Sequence, residues 1–75
     1  MIVSHFKPIL DSLYKEKYKT TKWCVAEYYN YDSENSITIV TIETDSRNNN
    51  PFGMTLTADT NFNVKRIIYS YGESY

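Results

Sequence analysis

Cys24 and His5 are the only thiol and the only imidazole in the chain, the two groups from which a nucleophile and its base are built. Neither sits in a motif that would hold such a pair together. His5 falls at or just before a helix start, and Cys24, beside Val25 and Ala26, reads as a small buried hydrophobe. One Cys and one His also fall short of a structural zinc cage, which takes about four ligands. Glu27 is the one acid set mid-strand among aromatics, where a carboxylate could do acid–base work. No second acid comes at a spacing that predicts proximity, so it reads as an outward or ion-paired side chain. Asp59-x-Asn61-x-Asn63 matches the opening ligand positions of a calcium loop, then fails. Val64 stands where the turn needs Gly, and Ser70 where a bidentate Glu is required. That segment, like Asp32-Ser33-Glu34-Asn35, reads as a polar turn. With Gly53 and Gly72 as its only glycines, the chain holds no glycine-rich phosphate loop. No enzyme activity, cofactor or metal is expected.

Binding chemistry is better represented. Lys15, Lys17, Lys19 and Lys22 interleave with Tyr14, Tyr18 and Trp23, combining phosphate-binding charge with stacking rings. Tyr14 and Tyr18, however, are spaced for a buried helix face. The charge is also divided: residues 1–22 carry +3 and residues 23–75 carry −4. An acidic sheet beside the lysines opposes a polyanion, so nucleic acid is a weak third reading. The eight tyrosines are the stronger signal. Tyr28, Tyr29 and Tyr31 gather at the end of one strand, and Tyr69, Tyr71 and Tyr75 near the chain end. A core this small cannot hold them all beside Trp23, Phe6, Phe52 and Phe62. Tyrosine with Asn, Ser and Thr is the palette of recognition surfaces, because it offers large contact area at low entropic cost.

The elements that position these residues follow from periodicity. Phe6, Ile9, Leu10, Leu13, Tyr14 and Tyr18 recur at three-and-four spacing, which predicts a helix over about 6–18 capped near Ser4, with Pro8 in its first turn. After residue 22 the period becomes two. Residues 23–31 form a strand with Trp23, Val25, Glu27, Tyr29 and Tyr31 on one face and Cys24, Ala26 and Tyr28 on the other. Residues 36–44 are β-branched nearly throughout and apolar on both sides, which places them centrally. Residues 45–51 are an Asn-rich loop. Residues 52–59 alternate, with Phe52, Met54, Leu56 and Ala58 inward, and residues 62–71 close the sheet before a frayed tail at 72–75. Short links make neighbouring strands antiparallel. The expected fold is α+β: one N-terminal helix packed on a four-stranded antiparallel meander (α-β-β-β-β) in two layers, a single domain over 1–75.

Tyr31-Asp32, Glu34-Asn35, then Asn50-Pro51-Phe52-Gly53-Met54-x-Leu56 and Asp59-Thr60-Asn61 together resemble the last strands of the phage uracil-DNA glycosylase inhibitor family. The likeness covers about half the chain. That family engages its enzyme through an acidic edge strand and an acidic helix; here the N-terminal segment is lysine-rich. Neither its function nor its residues transfer.

The chain thus reads as a non-catalytic protein-binding module, of the small inhibitor or adaptor type that phages and mobile elements direct at host proteins. The abundance of Asn, Lys, Tyr and Ile, all encoded by AT-rich codons, suits such a low-GC origin. The alternative is a homo-oligomeric structural or small-ligand-sequestering protein. The partner is another protein, a second copy, or both. The candidate contact surface is the outer sheet face with Tyr29, Tyr31, Tyr69 and Tyr71, flanked by Asn48, Asn49 and Asn50. The lone cysteine, the lack of a membrane-spanning run and the N-terminal composition point to the cytoplasm.

Overall fold

The computed structural model describes residues 2–44 and 52–71. One helix, α1 (Ile2–Tyr18), precedes four strands: β1 (Trp23–Tyr31), β2 (Ser36–Glu43), β3 (Phe52–Asp59) and β4 (Val64–Tyr71). The strands form one antiparallel sheet in the order β1-β2-β3-β4. The expected α+β meander is therefore the fold, and the β-branched β2 does lie inside the sheet. The Asn48–Asn50 loop and the 72–75 tail lie outside the described residues.

Helix α1 begins earlier than the periodicity predicts, so that Pro8 stands inside it and Ser4 is a helical residue rather than a cap. An interior proline costs a helical hydrogen bond and about 3 kcal/mol. Packing offsets that cost, because the turn before Pro8 brings Phe6 to full burial and Val3 against the core. The other end closes on Lys19 in the left-handed region (φ 58°), where Lys19 Nζ donates to the Glu16 carbonyl at 3.2 Å. Lys15 and Lys17 lie in the last turn, the end of the helix dipole that favours cations.

The helix packs on β2 and β3 and covers one face of the sheet. Phe6 and Leu10 pack on Ile37, Ile39, Leu56 and Ala58. Further along, Tyr14 and Tyr18 pack with Met54, and Trp23, Phe52 and Tyr69 close around them. Tyr14 stacks on Trp23 (centroids 5.6 Å, planes 8° apart) and Tyr18 on Phe52 (4.9 Å, 16°). The phenols are accommodated by hydrogen bonds: Tyr18 Oη donates to the Gly53 carbonyl at 2.7 Å, and Tyr14 Oη meets Thr41 Oγ1 at 2.8 Å. Gly53 is obligatory there, since a Cβ would stand 2.6 Å from the Thr41 carbonyl oxygen.

Both edge strands carry a bulge. In β1 the register steps from Val25–Thr41 to Glu27–Val40, leaving Ala26 as the extra residue. In β4 it steps from Ala58–Val64 to Thr57–Arg66, leaving Lys65 extra. One added residue reverses the facing of everything beyond it. This corrects the strict alternation expected for β1. Trp23 and Val25 face the helix, whereas Glu27, Tyr29 and Tyr31 share the opposite face with Val40, Thr38 and Ser36.

Candidate functional site

Among the described residues, no element packs on the sheet face opposite α1. Its central rows come from β2 and β3: Thr38 and Thr57 pair across, as do Val40 and Thr55, and Ile42 pairs with Gly53. β4 adds Arg66 beside Thr57 and Ile68 beside Thr55. β1 adds Cys24 beside Ile42, Glu27 beside Val40 and Tyr29 beside Thr38. Ile42, Ile68, Tyr29 and Tyr31 on this face are 36–47% exposed. Aliphatic and threonine side chains thus form a flat centre, with polar and aromatic groups on both rims.

The β1 rim is organised. Tyr29 and Tyr31 stand two residues apart on one face and stack at 5.7 Å with planes 11° apart. Tyr29 Oη donates to Glu27 Oε2 at 2.8 Å. That hydrogen bond to the carboxylate raises the Tyr29 pKa, so the phenol remains a donor and the Glu27 charge is held beside the two rings. An anion next to stacked aromatic faces is the arrangement that accepts a guanidinium or ammonium group. At the opposite rim, Arg66 is exposed and forms no ion pair among the described residues.

The predicted contact residues do not all come together. Tyr29 and Tyr31 lie on the open face. Tyr69 does not: it pairs with buried Met54 and packs beside Tyr14 and Tyr18 on the helix side, with Lys17 Nζ 5.2 Å from its ring centroid. Tyr71 pairs with Phe52 on that far edge strand, and its side chain lies outside the described residues, as do Asn48, Asn49 and Asn50. Val40, Ile42, Thr55, Arg66 and Ile68 were missed as candidates. The apolar character of both faces of residues 36–44 was the available signal, since it implies that one face of a two-layer domain stays open.

Cys24 is exposed, contrary to its reading as a buried hydrophobe, because it lies on the edge strand β1 and pairs with Ile42 on the open face. His5 is on α1, where its ring lies 4.4 Å from that of Phe62 at the β3–β4 turn. Asp59 is a turn cap: its Oδ1 accepts the backbone N–H groups of Asn61 and Asn63, both at 2.9 Å. Among the described residues no cluster of three His, Cys, Asp or Glu could hold a metal ion, and no helix is long and apolar enough to cross a membrane.

A concavity of about 490 Å³ lies between α1 and β1, lined by Val3, Lys7, Asp11, Trp23 and Val25 among others. Three of its side chains are engaged with one another: Trp23 Nε1 donates to Asp11 Oδ1 at 2.6 Å, and Lys7 Nζ to Asp11 Oδ2 at 2.8 Å. Both contacts lower the Asp11 pKa, Lys7 the more. This closed triad clamps the helix to the edge strand.

No family model, curated protein or solved structure matches the chain.

Proposed function

We propose that this protein is a non-catalytic binding module, an adaptor or inhibitor, that recognises another polypeptide through the open face of its sheet. One observation carries the reading: Tyr29, Tyr31, Ile42 and Ile68 are all exposed on the single face that no described element covers. A centre of aliphatic and threonine side chains with an aromatic and charged rim suits a protein-recognition patch. Tyrosines and threonines keep such a face soluble while leaving it adhesive.

The native thiol supplies the test, since Cys24 is exposed on this face and is the only cysteine. A photoactivatable maleimide attached there should capture a specific polypeptide in lysate of the expressing cell. The capture should fall at least about tenfold with Tyr29→Ser or Ile68→Ser. It should persist with the helix-side control Lys15→Ala. Capture indifferent to Tyr29 and Ile68 would overturn the assignment.

The second reading, self-association, is favoured by the distribution of charge: Glu27 lies on one rim of the face and Arg66 on the other.

A further inference from the structure

We infer that the open face pairs with a second copy of the chain, about a two-fold axis lying in the interface and running along the strands. The inference rests on the open face being the recognition surface, and it names the occupant and the geometry.

Edge-to-edge pairing is the usual route by which open sheets associate, and this sheet is built against it. Ala26 in β1 and Lys65 in β4 are bulged residues, and bulges bend a strand edge out of the plane that another strand would need. The face itself carries no such device.

Two in-plane axes are available for face-to-face pairing, and the charges choose between them. An axis across the strands sets β1 over β1 and β4 over β4, so that Glu27 approaches Glu27 and Arg66 approaches Arg66. An axis along the strands sets β1 of one copy over β4 of the other and keeps each cross-strand row in line. The row Tyr29–Thr38–Thr57–Arg66 then meets its own reverse, and each Arg66 arrives over Tyr29 of the other copy. Its guanidinium falls between the Glu27 carboxylate and the stacked Tyr29 and Tyr31 rings, the cation-accepting rim described above. The same axis places Ile42 over Gly53 and Val40 over Thr55, because these pairs are neighbours within one sheet. A projecting Ile thereby enters the gap left by a residue with no side chain.

The size of the face sets the strength. Four strands about 4.8 Å apart and eight residues long at about 3.3 Å each present roughly 500 Å², so a pair buries on the order of 1,000 Å², the lower end of specific interfaces. A reversible dimer with a micromolar dissociation constant is the expectation.

Sedimentation velocity over about 1 µM to 1 mM tests it, with circular dichroism to verify that each variant is folded. The wild type should pass from monomer to dimer. Arg66→Glu and Glu27→Arg should each weaken the dimer by about tenfold or more, since like charges then meet. The double variant should regain most of that loss, because the charges are exchanged rather than removed. A wild type that remains monomeric throughout overturns self-pairing, and so does a dimer that neither single variant weakens. The Cys24 probe separates this failure from failure of the recognition face. If it captures a different polypeptide in a Tyr29-dependent way, only the occupant is wrong; if it captures neither, the face is not a recognition surface.

Discussion

Tyr14 donates its phenolic proton to Thr41, and the direction follows from what Thr41 does next. Thr41 Oγ1 lies 3.0 Å from the Met54 carbonyl and 2.8 Å from Tyr14 Oη. A carbonyl can only accept, so the single Thr41 hydroxyl proton goes to Met54 and Tyr14 must be the donor. The chain Tyr14–Thr41–Met54 joins the helix to both central strands through buried groups.

The order of donors predicts unequal substitutions. Tyr14→Phe removes one hydrogen bond and leaves Thr41 still donating to Met54, at about 1 kcal/mol. Thr41→Val strands both the Tyr14 hydroxyl and one carbonyl contact, at about 1–3 kcal/mol. In the double variant no phenol is left to strand, so its loss should be smaller than the two single losses added. Urea denaturation of the four proteins measures this, and strict additivity would refute the donor chain.

Burial, the largest influence on Tyr14, raises its pKa above the ordinary value of 10.0, with the hydrogen bond to Thr41 acting the other way. A raised folded-state pKa means that the native state binds this proton more tightly than the unfolded chain does. Its contribution is full below the unfolded value and is lost as pH rises through the folded one. Tyrosinate absorbance during alkaline titration should therefore show Tyr14 ionising only with loss of tertiary structure. Tyr14→Phe should flatten the alkaline limb of stability.

The two central strands were legible in the sequence because each satisfies period two with a distinct apolar set, and nothing in their packing breaks it. The division of β1, with Trp23 and Val25 toward the helix and Tyr29 and Tyr31 away from it, was not. It depends on the bulge at Ala26, and an inserted residue leaves no periodic mark in a nine-residue strand. The one local hint is that unbroken alternation would have turned the Glu27 charge toward the helix. Tyr69 was misplaced for a related reason: Ile67 and Ile68 make both faces of β4 apolar, so only the pairing of Tyr69 with Met54 decides. The helix start was obscured by Pro8, whose local cost is overridden by the burial of Phe6, a tertiary effect.

Phe62 occupies the left-handed region, with φ 68°, at the position where a tight hairpin ordinarily carries Gly or Asn. Its amide donates to the Asp59 carbonyl at 3.0 Å. Its ring meets His5 at 4.4 Å and Phe6 edge-on at 5.9 Å. The backbone cost of about 1–2 kcal/mol is thus set against aromatic contact with the helix. Phe62→Ala loses the ring and keeps the strain, whereas Phe62→Gly loses the ring and relieves it. Phe62→Gly should be the more stable of the two by about 1 kcal/mol, the reverse of the order in an ordinary strand. Thermal melts of the two variants decide it, and Ala equal to or above Gly would exclude a strained turn.

Asp59 governs the same turn from its other side. The backbone N–H of Asn63 is the main influence that lowers its pKa, aided by the Asn63 side chain, the Asn61 amide and Lys65 Nζ at 3.5 Å. A depressed folded-state pKa gives stability that is fully present above the unfolded value, near 3.8. It is lost as pH falls from there through the folded value beneath it. Asp59→Asn retains an oxygen that can accept from the two backbone amides but not the charge. It should fold with a slightly lower urea midpoint at neutral pH and show a shallower loss of stability below about pH 4. Asp59→Ala removes the cap itself and should lower the midpoint at every pH. If Asn and Ala were equally destabilising and left the acid limb unchanged, the carboxylate would be an ordinary surface charge and the turn would be held by Phe62 alone.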